Sequence, residues 1–190
     1  MAINKINTTN SRLTTFSTWF MGLDKSDFEK IQQGNREDDF ADLNNPNYRP
    51  INFNLTYFTL TELYPSSYLN IIRDFTYGII NDFEVELVYE GYYGEGDYVG
   101  WHTNADFGGY NALLTFSSNG NSGFKYLDAD NSFVEVDVPD SVGWSIKKTC
   151  WNDNSKLLWH MAYSNCDRLT FTFNSPDEEK IDSLITNLAS

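Results

Sequence analysis

Apolar positions change rhythm twice along this chain. From Ile51 to Leu63 they alternate with polar ones and favour β-branched and aromatic types, which predicts a strand. After Pro65-Ser66-Ser67, the residues Tyr68, Ile71, Ile72, Phe75, Ile79 and Ile80 recur at helical spacing, which predicts an amphipathic helix. From Glu84 onward the period returns to two. Glu84–Tyr89, Asn111–Ser117, Gly123–Leu127, Ser132–Val138, Gly143–Cys150, Lys156–Tyr163 and Asp167–Asn174 read as short strands, and Gly91 to Gly100 as a Gly/Tyr-rich turn region. Asn-Gly, Asp-Ala-Asp-Asn, Pro-Asp-Ser and Asn-Asp-Asn-Ser turns separate them. Short strands at even spacing argue for an antiparallel sandwich or barrel rather than a βαβ fold.

The two ends are simpler. Pro176 to Ser190 opens on Asp177, Glu178 and Glu179, then places Ile181, Leu184, Ile185 and Leu188 on one face, as a C-terminal amphipathic helix does. The first 50 residues are polar. Ser26 with Glu29 has the form of a capping box, so a short helix is expected from Ser26 to Gln33, and Asn44-Asn45-Pro46-Asn47 reads as a turn. The chain is expected to be a single domain over 1–190. Residues 1–83 give an N-terminal strand and helices that support the sheet, 84–174 the β core, and 175–190 the closing helix.

Composition narrows the class. The chain has 190 residues, 41% hydrophobic and 16% aromatic, enough for one core built on rings. Its net charge of −14 repels polyanions, so a nucleic-acid partner is disfavoured and a small molecule or a protein or peptide segment is expected instead. Two cysteines, Cys150 and Cys166, are too few for a disulfide framework and fit no zinc spacing. The N-terminal residues lack an apolar signal region, and no stretch reaches membrane-spanning length. No membrane association and a cytoplasmic location are therefore expected.

Candidate chemistry centres on the two histidines, His102 and His160. Either alone is an ordinary structural residue. Together, each at or in a β segment, they can place two imidazoles on one face of an iron ion with one oxygen ligand, leaving three positions open. Zinc is less well served, because its hydrolytic sites need a third firm ligand. Past His160 comes Asp167-Arg168-Leu169-Thr170-Phe171-Thr172-Phe173. Alternation puts Arg168 and Thr170 on one face and Leu169, Phe171 and Phe173 on the other. A guanidinium fork beside a hydroxyl suits a carboxylate. Trp101, Trp144, Trp159, Phe116, Phe124 and Phe171 are either the apolar wall of such a site or plain core, and core is the commoner role of rings at strand spacing.

These segments resemble the Fe(II)- and 2-oxoglutarate-dependent dioxygenases, most closely the small prolyl-hydroxylase-like branch and its compact phage-encoded members. Gly96-Asp97-Tyr98-Val99-Gly100-Trp101-His102-Thr103-Asn104 is similar to the strand leading into the family's His-x-Asp motif. Pro139-Asp140-Ser141-Val142-Gly143-Trp144 resembles its later turn and strand. Leu158-Trp159-His160 with Arg168-Leu169-Thr170 resembles the distal His and the Arg-x-Ser/Thr pair. The resemblance spans roughly 84–174. It implies a double-stranded β-helix (jelly roll), mainly β with flanking helices. It further implies an oxidoreductase that uses Fe(II) and 2-oxoglutarate as co-substrate to hydroxylate a C–H bond. Fe(II) would be held by His102, His160 and a third ligand. Arg168 and Thr170 would hold the far carboxylate, helped by a tyrosine from an earlier strand, Tyr89 or Tyr98.

One position departs from the family. Where a carboxylate is expected, this chain has Asn104. A neutral amide is a poorer ligand for a hard cation. Asn104 can ligate weakly, Asp106 can supply the carboxylate from the Gly-containing loop that follows, or the position can be left to water. Two other readings stay open. One is a non-catalytic jelly-roll binding or virion-associated module derived from such an oxygenase, which Asn104 favours. The other is a cupin-like metal-dependent isomerase or hydrolase with no role for Arg168. The loops 91–100 and 104–111, carrying Tyr92, Tyr93, Tyr98, Tyr110, Asp97 and Asp106, are expected to line the mouth of the barrel.

Overall fold

The computed structural model describes residues 3–23, 31–33, 53–55, 66–104, 108–128, 134–153 and 156–190. In chain order its elements are β1 (Lys5–Thr8), α1 (Ser11–Met21), β2 (Ile31–Gln33), β3 (Phe53–Leu55), α2 (Ser66–Phe83), β4 (Glu86–His102), β5 (Gly109–Ser117), β6 (Ser122–Asp128), β7 (Val134–Pro139), β8 (Gly143–Asp153), β9 (Lys156–Leu157), β10 (His160–Ser175) and α3 (Glu178–Ala189).

Two long strands carry the architecture. β4 and β10 run antiparallel from Asn174 opposite Glu86 to His160 opposite His102. Register shifts fall between His160 and Ala162, between Tyr163 and Arg168, and between Thr172 and Phe173. Bulges of this kind bend a strand pair and increase its twist. The bent ribbon therefore serves two layers. The Arg168–Ser175 half of β10 pairs with β5, which continues to β8 and β1. The His160–Ser164 half pairs with β6, which continues to β7. On the other side of β4 lie β3 and β2. The result is a mainly antiparallel sheet curled into a half-barrel with flanking helices, a jelly roll.

The outer face of the larger layer is the core. Leu169, Phe171 and Phe173 of β10 join Ala112, Leu114, Trp144, Ile146 and Tyr92 there. Three helices cover them. α1 is capped by Asn10, whose side chain accepts from the Arg12 N–H at 3.1 Å, and it buries Leu13, Phe16 and Phe20 at helical spacing. α2 adds Ile72, Phe75 and Ile79, and α3 adds Ile181, Leu184, Ile185 and Leu188 behind its Asp177 cap. With this face sealed by helices, the opposite face of the same strands is left to line an interior.

Several boundaries differ from the sequence reading. Gly91–Gly100 is not a turn region but the middle of β4, paired to β10 along one edge and to β3 along the other. Gly94, Gly96 (φ 80°) and Gly100 fall at register shifts of the β4–β10 pairing instead of ending the strand, and Gly91 pairs regularly opposite Thr170. Likewise the expected break between Lys156–Tyr163 and Asp167–Asn174 is a bulge inside β10, and Lys156–Leu157 is a separate short strand. Ile31–Gln33, expected at the end of a helix, is strand β2. The rest of that segment, the Asn44–Asn47 turn and most of Ile51–Leu63 lie outside the described residues. Helix α1 was hidden by the polar composition of the first 50 residues. Among the described residues no helix is long and apolar enough to cross a membrane.

Candidate functional site

His102 ends β4 and His160 begins β10, and the two are register partners. Their ring centroids are 4.2 Å apart. Each Nδ1 reaches the carbonyl two residues earlier in its own chain: His102 to Gly100 O at 2.7 Å, His160 to Leu158 O at 2.9 Å. A carbonyl only accepts, so both Nδ1 atoms carry the proton, and in the neutral rings Nε2 keeps its lone pair. This backbone-fixed tautomer is the one used by Nε2 metal ligands. Burial first, and then the neighbouring His102, push His160 well below the ordinary histidine range, which keeps it neutral. Its ring is stacked on Phe124 (5.3 Å) and Trp151 (6.0 Å).

Asn104 lies just past the end of β4. Its Nδ2 donates to His160 Nε2 at 3.1 Å. A half-turn of the amide would present Oδ1 to the same point. Asp106 lies outside the described residues. Among the described residues no group of three or more His, Cys, Asp or Glu side chains is placed to hold a metal, so the constellation is two imidazoles and an amide.

The second half of the site comes from the larger layer. Arg168, 1% exposed, donates from Nε to Asp140 Oδ2 at 2.9 Å. Asp140, in the turn before β8, also accepts from Ser122 Oγ at 2.8 Å and from Lys147 Nζ at 2.5 Å. Burial alone would raise the Asp140 carboxyl, but the charges of Arg168 and Lys147 outweigh it and hold the group well below the usual carboxylate range. The guanidinium carbon sits 4.8 Å from the centroid of the Tyr93 ring, and Tyr93 Oη pairs with Tyr89 Oη at 2.9 Å. Gly91, between these tyrosines on the strand, leaves the room that Tyr89 fills, since a Cβ there would collide with the Tyr89 hydroxyl.

Both halves open into one cavity of about 380 Å³. Its wall includes His102, Asn104 and His160 with Phe124 and Trp151 stacked on the His160 ring, and, further along β10 and β4, Arg168, Thr170, Tyr93 and Tyr89, together with Leu113. Thr170 thus shares a face with Arg168 while Leu169 and Phe171 face the helices, as the alternation predicts. Arg168 Nη1 and Thr170 Oγ1 are buried and have no hydrogen-bond partner among the described residues.

Other residues singled out in the sequence lie elsewhere. Tyr98 is buried beside Tyr163 and Asn54 in register and is not part of the cavity wall. Tyr92 belongs to the helix-covered core. Of the six proposed wall rings, Phe124 lines the cavity. Phe116, Trp144 and Phe171 pack under the helices, and Trp101 and Trp159 pack with Leu127 and Met161. The sequence reading placed Tyr93 in a loop at the mouth rather than on β4, and it did not single out Trp151, Asp140 or Lys147 as site residues. The signal for Tyr93 was present: period-two counting from Tyr89 puts Gly91 and Tyr93 on the same face once 91–100 is read as strand.

The donor set fits the cofactors that the resemblance implies. Two neutral imidazoles with Nε2 unprotonated suit a ferrous ion. Leaving a buried guanidinium N–H and a buried hydroxyl unpaired costs about 1–3 kcal/mol each, and a carboxylate would satisfy both.

No protein-family model matches the chain. No curated protein matches it either. Among solved structures, the structure of OsALKBH1 aligns at 17% identity over 59% of this chain, with a TM-score of 0.33. This chain spans 66% of that one, just under two thirds. A Pseudomonas putida prolyl-4-hydroxylase aligns at 12% identity over 90% of this chain and 85% of its own, with a TM-score of 0.42.

Proposed function

We propose that this protein is an Fe(II)- and 2-oxoglutarate-dependent oxygenase that oxidises a C–H bond of a substrate admitted to the jelly-roll cavity. One observation carries the reading: the two metal-competent imidazoles at the paired ends of β4 and β10 line the same cavity as Arg168 from the other half of β10, whose Nη1 has no hydrogen-bond partner among the described residues. His102 and His160 would hold the ion through Nε2, with Asn104 as the oxygen ligand after its amide turns. Arg168 Nη1 and Thr170 Oγ1 would hold the far carboxylate of 2-oxoglutarate, and Tyr93 would fix the plane of the guanidinium. Bound Fe(II) with 2-oxoglutarate supplies oxidative decarboxylation coupled to C–H oxidation. The chain supplies orientation and an apolar enclosure, in which Leu113, Phe124 and Trp151 exclude water. The acidic chain favours a small molecule or a basic peptide segment as substrate over nucleic acid.

The neutral amide at position 104 favours a second reading, a binding module that keeps the fold without turnover. Anaerobic titration separates the two. The oxygenase reading expects a visible metal-to-ligand charge-transfer band that saturates when 2-oxoglutarate is added to the Fe(II)-loaded protein. A folded protein that gives no band at millimolar 2-oxoglutarate contradicts it and leaves the module.

A further inference from the structure

The charge arrangement behind Arg168 carries a further inference, which rests on the oxygenase reading. Arg168 and Asp140 alone would form a closed, neutral pair, 1% exposed on both sides. Such a guanidinium has no net charge left to offer a ligand. Lys147 changes this. Its Nζ is fully buried and meets Asp140 Oδ1 at 2.5 Å, on the carboxylate oxygen that Arg168 does not use. Two cations thus share one anion, and the trio carries a net charge of +1 inside the protein. Arg168 lines the cavity, and its Nη1 has no hydrogen-bond partner among the described residues.

We propose that Lys147 is a positioning and specificity-determining residue for the acidic co-substrate. By occupying Asp140 it frees the charge of Arg168 for an ionised carboxylate, and so sets the preference for a dicarboxylic over a monocarboxylic 2-oxo acid. The sequence pattern agrees with its unusual place. Lys147 stands in β8 on the interior face, opposite Leu113, where a strand of a purely apolar interior would carry an aliphatic residue. A buried ammonium is costly unless it is paired, so its retention there needs a partner, and Asp140 provides it.

The test uses the full chain loaded anaerobically with Fe(II). Two ligands are compared by titration: 2-oxoglutarate, and 2-oxopentanoate, which has the same length but ends in a methyl group. The wild type binds 2-oxoglutarate more tightly. Lys147→Met shrinks that preference about tenfold, the coupling expected between close charges, while 2-oxopentanoate and Fe(II) bind as in the wild type. The double variant Lys147→Met/Asp140→Asn restores the single positive charge and so restores the preference, a rescue that a merely structural role does not produce. Should Lys147→Met not fold, Lys147→Gln, which keeps a donor for Asp140 without the charge, carries the same expectation. An unchanged preference in the single variant, or no recovery in the double, overturns the role of Lys147 while the oxygenase reading stands. A wild type that binds neither 2-oxo acid overturns both.

Discussion

The side-chain amide of Asn104 lies 3.1 Å from Nε2 of His160, with its nitrogen donating to the lone pair that a metal would use. Position 104 is therefore directed at the candidate metal point, and its neutral chemistry is the main departure from an ordinary two-histidine, one-carboxylate centre. Asn104→Asp should raise divalent-metal affinity about tenfold, because a carboxylate offsets the charge of the ion. Equilibrium dialysis with Mn(II) or Fe(II) checks this. Unchanged affinity, together with loss of binding in Asp106→Ala, would move the third ligand to Asp106.

His160→Ala should abolish metal binding and leave the fold intact. One imidazole and an amide do not hold Fe(II) tightly, and the neighbouring Trp151 and Phe124 keep their place in the wall. Metal content after dialysis and the far-ultraviolet circular dichroism of the same sample report the two halves of this expectation. Retained metal at wild-type affinity would show that His160 is structural.

Arg168→Met should weaken 2-oxoglutarate binding about 10- to 100-fold, the range for losing a charged hydrogen-bonding partner. Metal binding should stay near wild type, because Arg168 is remote from the imidazoles along β10. The variant should also fold, since Asp140 and Lys147 remain a matched pair. Calorimetry of each ligand separately provides the check, and equal losses of metal and 2-oxoglutarate would contradict the division of the site.

Acid stability should depend on Asp140. Its folded carboxyl titrates below its unfolded value of 3.8, because Arg168 and Lys147 overcome the opposing effect of burial. The stability it contributes is complete above that value and is lost as the pH falls toward the folded pKa. Melting temperatures followed from about pH 5 down to about pH 2.5 should therefore drop more steeply in the wild type than in Asp140→Asn, which has no carboxyl to protonate at this site. Parallel curves would remove Asp140 from the acid transition.

Much of this arrangement was legible in the chain. The helical stripe from Ile71 to Ile80, the Ile181–Leu188 stripe of α3, and the split of Arg168 and Thr170 from Leu169, Phe171 and Phe173 all follow from periodicity, because each segment has one face covered and one face not. What periodicity hid was continuity. Glycines and polar residues at 91–100 and 164–166 resemble turns, yet in β4 and β10 they are bulges, and it is the bulges that bend one ribbon through both layers. Reading them as turns made Tyr93 a loop residue and brought Tyr98 forward instead. The Asp140–Lys147 pair was invisible for another reason: a charged residue in a strand normally marks a solvent face, and only the packed interior reveals that this one is buried.

The central claim is that the two ends of one cavity hold a metal and a dicarboxylate at the same time. A crystal structure grown anaerobically with Fe(II) and 2-oxoglutarate tests it most directly. The account predicts the ion on Nε2 of both His102 and His160, and the distal carboxylate on Arg168 Nη1 and Thr170 Oγ1. An ion bound elsewhere, or a cavity in which 2-oxoglutarate makes no contact with Arg168, would contradict it.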